Sequence, residues 1–311
     1  MIPFDPAALD CLAALADHGS FERAAQRLAI TQSAVSQRLR ALEAQVGQLL
    51  VVRSRPLRLS EAGKLLLRYA RQWQALRADM ARELGAGLAP GERLPIAVNA
   101  DSLATWVLPA LDALVHAGQQ AGYGLELIVD DQDFTHDWLR EGQVLGCVTT
   151  VREALRGCRV TPLGAMHYTA VASPALIARW LPQGLSEANF ARVPFLVFNR
   201  KDDMQSQWVS RAFGVRGPRL QERFVPSSEA YVRAALLGWG VGVAPLLQVR
   251  ELLADGRLIA LRPSVTLEVA LYWHQWKLAA DDEAAGARGG LLDQVGAALA
   301  AGAQRELAPL A

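Results

Sequence analysis

Cysteine is scarce in this chain, with three in 311 residues (Cys11, Cys147 and Cys158) and no CxxC pair among them. An odd, scattered set excludes a disulfide scaffold and a cysteine zinc site and fits a reducing cytoplasm; each thiol reads first as a small buried hydrophobe. Long apolar runs are missing as well. Nothing approaches about 18 uninterrupted apolar residues, so no transmembrane helix is expected. Residues 1–10 have neither a basic n-region nor an apolar h-region, so no secretory signal is expected and the cytoplasm is the expected location. Enzyme signatures are equally absent: there is no Walker A loop, GxSxG elbow, HExxH pair or glycine-rich dinucleotide fingerprint. The five histidines (His18, His116, His136, His167, His274) stand apart in sequence, which favours structural or exposed roles over a metal site. The expectation is a protein without catalytic residues, bound metal or cofactor.

What is present is an ordinary globular composition, 51% apolar and 20% charged, which excludes a wholly disordered chain. At about 100–200 residues per domain, the length predicts two or three domains. The net charge of +1 conceals an asymmetry: residues 1–90 carry 12 basic and 8 acidic side chains, whereas 91–311 carry 20 and 23. Between 20 and 58 the balance is 7 basic to 2 acidic. A small basic head on a slightly acidic body points to a nucleic-acid-binding head, and double-stranded DNA is the partner expected once the helix-turn-helix that follows is added.

Local patterning agrees with the charge. Residues 5–18 place Leu9, Leu12, Ala13 and Leu15 at helical spacing before Gly19. Ser20 offers a cap to a second helix, Phe21 to Leu28, and Thr31 to a third, Gln32 to Val46, which Gly47 ends. A joint of about three residues between the second and third makes a helix-turn-helix. On the third helix Val35, Leu39 and Leu42 form a core stripe, leaving Gln32, Ser33, Ser36, Gln37 and Arg40 opposite it. Short hydroxyls let a backbone approach DNA, and Gln and Arg bond to base edges and phosphates. Strand-like runs Leu49 to Arg53 and Leu57 to Leu59 flank a Pro-containing turn, a hairpin wing whose Arg53 and Arg55 suit phosphates. Ser60 then opens a helix from Glu61 to about Leu84. Its Leu66, Tyr69, Trp73, Leu76 and Met80 repeat at 3, 4, 3, 4, the a/d seam of a coiled coil, so a homodimer is expected, with packing against its own chain the competing reading.

Residues 85–91, rich in glycine, break the chain. Beyond them strand-like runs (Leu94–Asn99, Leu125–Asp130, Val144–Thr149, Tyr168–Ala172, Phe195–Phe198, Val241–Ala244, Val269–Trp273) alternate with helical ones (Ser102–Ala117, Gln205–Phe213, Glu229–Leu237, and a last helix near Ala284 to Ala303). Such alternation implies mostly parallel sheets, and about 220 residues is long for one sheet, so two lobes are expected. Ligands in these folds sit beyond strand ends, where helix N-termini collect. The polar residues there are Ser102, Thr149 and Ser228, which suit a carboxylate, and Asp130, Asp131, Asp203 and Glu229, which suit a cation. Together they imply a zwitterion with a cationic tail. Trp106, one turn past Ser102, is a candidate cover for an aliphatic stem, with core packing the competing role; plain N-capping competes for Asp101 and Ser228.

The stretch FERAAQRLAITQSAVSQRLRALEAQVG, followed by the wing and LSEAG, resembles the DNA-binding signature of LysR-type transcriptional regulators. NADSLATWVLPAL, LGCVTT, SSEAYV and LYWH resemble its ArgP/LysG-like branch, which governs lysine and arginine export. The resemblance spans essentially the whole chain. It implies an α/β protein with an all-α N-terminal module: a winged helix-turn-helix (1–59), a linker and dimerisation helix with hinge (60–91), and a two-lobed periplasmic-binding-protein-like effector domain (92–311, one lobe 92–163 with 266–311, the other 164–265). It implies a lysine or arginine effector, control of a basic amino-acid exporter gene, contact with RNA polymerase, and a homodimer or dimer of dimers. The wing is short and Arg-rich (Arg53, Arg55, Arg58), so the contacts of longer-winged relatives do not carry over. The competing expectations are an effector-independent nucleoid-type protein for curved or A·T-rich DNA, and an enzyme with a fused DNA-binding head, against which the missing motifs weigh.

Overall fold

The computed structural model describes residues 4–52, 54, 57–84, 92–121, 123–130, 135–278 and 290–310. They gather into two compact units, residues 1–98 with 113–160 and 273–297, and residues 99–112 with 161–272 and 298–311.

The first unit begins with a helical head whose boundaries follow from its caps. Helix α1 (Pro6–His18) starts with Asp5 accepting from the Ala7 N–H and stops at Gly19, whose φ of 65° is left-handed. Ser20 caps α2 (Phe21–Arg27) through the Arg23 N–H, and Thr31 caps α3 (Gln32–Val46) through the Ala34 N–H. The turn between α2 and α3 forces Ala29 to a φ of 52°, a left-handed conformation that costs an L-residue roughly 1–2 kcal/mol. The head therefore holds its turn angle against a local preference. Leu12, Leu15, Val35, Leu39, Leu42 and Leu50 are fully or almost fully buried in one core, and each contributes about 1.5–3 kcal/mol of burial. The hairpin is shorter than expected: β1 (Val51–Val52) pairs antiparallel with β2 (Arg58–Leu59).

Helix α4 (Glu61–Glu83) is capped by Ser60, whose hydroxyl accepts from the Gly63 N–H. Gly63 lets it lie against the hairpin, since a Cβ there would fall 2.1 Å from the Leu50 carbonyl oxygen. Gly63, Leu67 and Ala70 are buried on this side, and Asp17 and Asp10 of α1 reach across to Arg71 and to Gln74 and Arg77. Leu66, placed in the exposed seam by its spacing, packs against the head core instead. The other side carries Leu65 and the remaining seam residues, Tyr69 (55% exposed), Trp73 (43%), Leu76 (40%) and Met80 (54%).

The rest of the first unit is α/β. Its strands run in the order β11 (Thr266–Trp276), β5 (Gly146–Thr149), β3 (Glu92–Asn99), β4 (Tyr123–Asp130). Strand β3 lies parallel to β5, with Ile96 opposite Gly146. Helix α7 (Thr135–Arg140) precedes β5, and Gly146 leaves room for the Trp273 indole, whose ring a Cβ would meet at 2.3 Å. The contacts of this part with α4 include Lys64 Nζ, which bonds Glu141 at 2.7 Å, and the Arg68 guanidinium, 4.8 Å from the centre of the Trp276 ring.

The second unit is organised on β6 (Cys158–Ala172), which β9 (Gly242–Pro245) and β10 (Ile259–Ala260) join antiparallel. A separate pair, β7 (Pro194–Val197) and β8 (Gln221–Phe224), is parallel. Helices α8 (Pro174–Trp180), α9 (Met204–Phe213), α10 (Ser228–Leu236) and α11 (Leu246–Ala254) surround them, and α12 (Leu291–Glu306) closes the chain. Val171, Leu196, Ala235, Ala244 and Val249 form its core, with the Tyr231 hydroxyl donating to Leu196 O and accepting from the Val243 N–H and from Gln205 Nε2. Strand β6 begins at Cys158 rather than Tyr168, and α12 runs to Glu306; residues 284–289 of the expected last helix lie outside the described residues. Among the described residues, no helix is long and apolar enough to cross a membrane.

Candidate functional site

Helix α3 presents one polar face. Gln32, Ser33, Gln37 and Arg40 are exposed and Ser36 is half-buried, while Val35, Leu39 and Leu42 point into the head. Arg40 Nη2 donates to Ser36 Oγ at 3.1 Å, which holds the guanidinium beside the helix. The face offers amides, hydroxyls and a cation on a rod about 22 Å long at about 1.5 Å per residue, dimensions that suit a major groove. Arg53 and Arg55 lie outside the described residues.

In the second unit, three residues at the end of β3 and in the helix that follows are in an unusual state. Asn99 Oδ1, Ser102 Oγ and Trp106 Nε1 are all buried and have no hydrogen-bond partner. Buried polar atoms are nearly always paired, so a group of three requires an explanation. The backbone here is also irregular: α5 (Ala100–Ser102) passes into a π turn (Leu103–Val107) before α6 (Leu108–Ala121), and Thr105 Oγ1 donates to Asp101 O at 2.6 Å. Such π turns concentrate at functional sites. Trp106 is 1% exposed; one turn further on, Gly302 of α12 lets Ala110 of α6 approach, since a Cβ on Gly302 would fall 2.4 Å from that of Ala110. The Trp106 indole packs in the core, and the unpaired N–H is its only polar offering.

Asp101 is not the helix cap. Asn99 occupies that position, and Asp101 instead accepts from Tyr168 (2.8 Å) and from Ser228 (2.6 Å). Ser228, also 3.1 Å from Gln248 Oε1, is therefore tied into a network, and Ser227 caps α10. Glu229 is exposed in the first turn of α10. Asp203 is exposed before α9 and bonded to Gln207 Nε2 at 2.7 Å, whereas its neighbour Asp202 turns inward to the Phe198 and Met204 N–H groups and Gln205.

In the first unit, Thr149 ends β5 fully buried, its Oγ1 accepting from the Val151 N–H at 3.3 Å. Thr135 opens α7 and donates to Val148 O at 2.7 Å. Asp130 ends β4, and Asp131 lies outside the described residues. Beside Thr149 the fold assembles a pair that sequence reading missed. His136 of α7 and His274 of β11 meet edge to face, ring centres 5.2 Å apart at 86°. Burial lowers the proton affinity of both rings below the ordinary histidine value. Cys147 and Cys158 are buried, and burial pushes the Cys158 thiol up to about 12, so neither is a thiolate at neutral pH.

Comparison with known proteins bears on both faces. Residues 6–64 match the family described as bacterial regulatory helix-turn-helix protein, lysR family, and residues 88–281 match the LysR substrate binding domain. The chain is 44% identical over 272 residues to the transcriptional regulator ArgP of Aeromonas salmonicida, covering 86% of this chain and 89% of the relative. It is 42% identical to LysG of Mycobacterium tuberculosis, covering 87% of each. Among solved structures, ArgP from Mycobacterium tuberculosis superposes with a TM-score of 0.83 at 39% identity, over 99% of this chain and all of that one. Full-length LysG from Corynebacterium glutamicum with bound effector Arg gives 0.72 at 34% identity, over 98% of this chain and all of that one.

Proposed function

The chain belongs to the LysR family of bacterial transcriptional regulators, and from that premise we propose that it is a homodimeric, cytoplasmic regulator whose grip on DNA responds to lysine or arginine and which controls a basic amino-acid exporter gene. The reading divides the chain into a DNA-binding head (1–59), a dimerisation helix with its hinge (60–91) and an effector domain (92–311). Contact with RNA polymerase and assembly into a dimer of dimers belong to the same reading.

The observation that carries the effector is the unpaired trio Asn99 Oδ1, Ser102 Oγ and Trp106 Nε1. A hydroxyl and an indole N–H donate to a carboxylate, and an amide oxygen accepts from an ammonium, so the three atoms match the zwitterionic end shared by all amino acids. That the LysG relative was solved with arginine bound supports a basic side chain. Thr149 is a further candidate contact, and Asp130, Asp131, Asp203 and Glu229 are candidate partners for positive charge. Asp203 and Glu229 carry less of the argument because both face solvent.

Calorimetry tests this reading. Lysine or arginine should bind, norleucine should bind poorly, and Ser102→Ala should lose about 1.5–3 kcal/mol, the worth of a hydrogen bond to a charged group. Norleucine binding as tightly as lysine would remove the basic effector. Equal binding to operator and random DNA, with or without amino acid, would favour a nucleoid-type protein instead.

A further inference from the structure

We propose that Asp101 reads the effector's α-ammonium group, and that Tyr168 and Ser228 are positioning residues that aim its carboxylate. This rests on the reading that the effector is an amino acid held by Asn99, Ser102 and Trp106, and extends it to the charge that answers the ammonium.

Placement comes first. Asp101 lies in the short turn that runs from its cap, Asn99, to Ser102, and every residue invoked belongs to the second unit. The α-ammonium and α-carboxylate of an amino acid sit on one carbon. Whatever receives the ammonium must therefore lie within about a turn of whatever receives the carboxylate, and Asp101 is the acidic residue of that turn. Its neighbours Asn99 and Ser102 are 2% and 0% exposed, and their Oδ1 and Oγ atoms are the unpaired ones.

The aim of the carboxylate is set by two other elements. Oδ2 accepts from the Tyr168 hydroxyl of β6 at 2.8 Å, and Oδ1 from the Ser228 hydroxyl of α10 at 2.6 Å. The latter is the shorter of two contacts, the other being Gln248 Oε1 at 3.1 Å. Both donors are buried, Tyr168 in a strand opposite Pro245 of β9 and Ser228 directly behind the Ser227 cap. Each carboxylate oxygen has two lone pairs, so one hydroxyl apiece fixes the rotation of the side chain without exhausting its acceptors. A group aimed before its ligand arrives spares the cost of ordering it on binding.

The choice of a carboxylate is informative. A junction of α5, β6 and α10 alone could be made by an amide, which carries no charge to desolvate. Asp101 is half-buried, unlike the solvent-facing Asp203 and Glu229. Burial foremost, and then the charges of Asp202 and Asp101, push the Tyr231 phenol up, so negative potential reaches into this unit. A plain carboxylic acid would meet Asp101 as a like charge. An amino acid brings its carboxylate to Ser102 Oγ and Trp106 Nε1 and its ammonium to Asn99 Oδ1 and Asp101.

The full-length protein is titrated calorimetrically with arginine and with 5-guanidinopentanoate, which is arginine without its α-ammonium, and melting curves establish folding. Asp101→Asn keeps the size and an acceptor oxygen and removes the charge; Tyr168→Phe removes one of the two hydroxyls that aim it. Arginine should bind about 30-fold or more weakly to Asp101→Asn, and about 3- to 10-fold more weakly to Tyr168→Phe. The des-amino analogue should bind the unmodified protein weakly and lose nothing further in either variant, a split that a purely structural role would not produce. Equal losses for both ligands would overturn the assignment, as would an analogue that binds as tightly as arginine or folded variants that bind arginine normally. If the analogue binds too weakly to measure in any of the proteins, the arginine loss in Asp101→Asn decides. Should Asp101→Asn not fold, Tyr168→Phe carries the same contrast. If the unmodified protein binds neither arginine nor lysine, the basic-effector reading fails, and Asp101 is judged by a melting screen of the standard amino acids. One that stabilises the unmodified protein but not Asp101→Asn supports the ammonium site; equal stabilisation, or none by any amino acid, overturns it.

Discussion

Gln37 and Arg40 sit one turn apart on the exposed face of α3, yet they should contribute to different terms of DNA binding. An amide reads base edges through paired donor and acceptor, so Gln37→Ala should change the preferred sequence at about 1–3 kcal/mol per lost base contact. A guanidinium held beside the backbone of its own helix by Ser36 is placed for phosphate, so Arg40→Ala should weaken all sequences alike and reduce the salt slope by about one. Binding-site selection and salt titration separate the two, and an unchanged consensus for Gln37→Ala would reverse the assignment. At this scale the sequence was informative only where function coincides with a local signal. Ser102 was singled out because a serine three residues past a strand-end asparagine marks a helix start. His136 and His274 were not, because they meet only through the placement of β11 beside β5, a register that no local window contains. The capping role that competed for Asp101 fails for the same reason, since its partners Tyr168 and Ser228 come from distant segments.

Among the elements, α4 has the clearest division of labour. One side is spent on the head, through Leu66, Leu67 and Ala70, and the other leaves Tyr69, Trp73, Leu76 and Met80 in water. The proposed cover for an apolar stripe of this length is a second copy of the same helix, at about 25 cal/mol for each Å² removed from solvent. Trp73→Glu would set like charges across the two-fold axis, so dimers should dissociate at low micromolar concentration and operator binding should collapse. Sedimentation of a fully dimeric variant would place the interface elsewhere. Helices α1, α3 and α4 were readable because each is long and capped by Asp, Thr or Ser, and the seven-residue α2 because Gly19 and Ser20 mark its start. Helix α7 and strands β8 and β10 were not, being too short for a period to repeat within them. Strand β6 was truncated in the reading because Pro162 and Gly164 interrupt its pattern, whereas the structure simply runs the strand through them.

For the whole molecule, the histidine pair couples stability to pH. Both rings bind protons less readily folded than unfolded, so unfolding takes protons up as the pH falls below about 6.5, the value of an exposed histidine. The stability they contribute is complete above that value and is lost progressively as pH drops towards their lower folded values. The facing charges partly offset one another: Asp137 and Glu153 favour the protonated rings, and Arg140 opposes it for His136. Calorimetric melting between about pH 7.5 and 5.5 should fall more steeply for the unmodified protein than for a His136→Phe, His274→Gln double variant; parallel slopes would show that the pair does not govern this range. The chain path has a consequence of another kind. The first unit is completed only by residues 273–297, after the chain has left it at 98, returned at 113 and left again at 160. A growing polypeptide therefore emerges from the ribosome with the DNA-binding head ready to fold and the α/β part of that unit lacking strand β11 until nearly the whole protein has been made. A message cut short anywhere before the codons for that strand yields a competent head on an unfinished body, a product that quality control must remove before it competes for the operator.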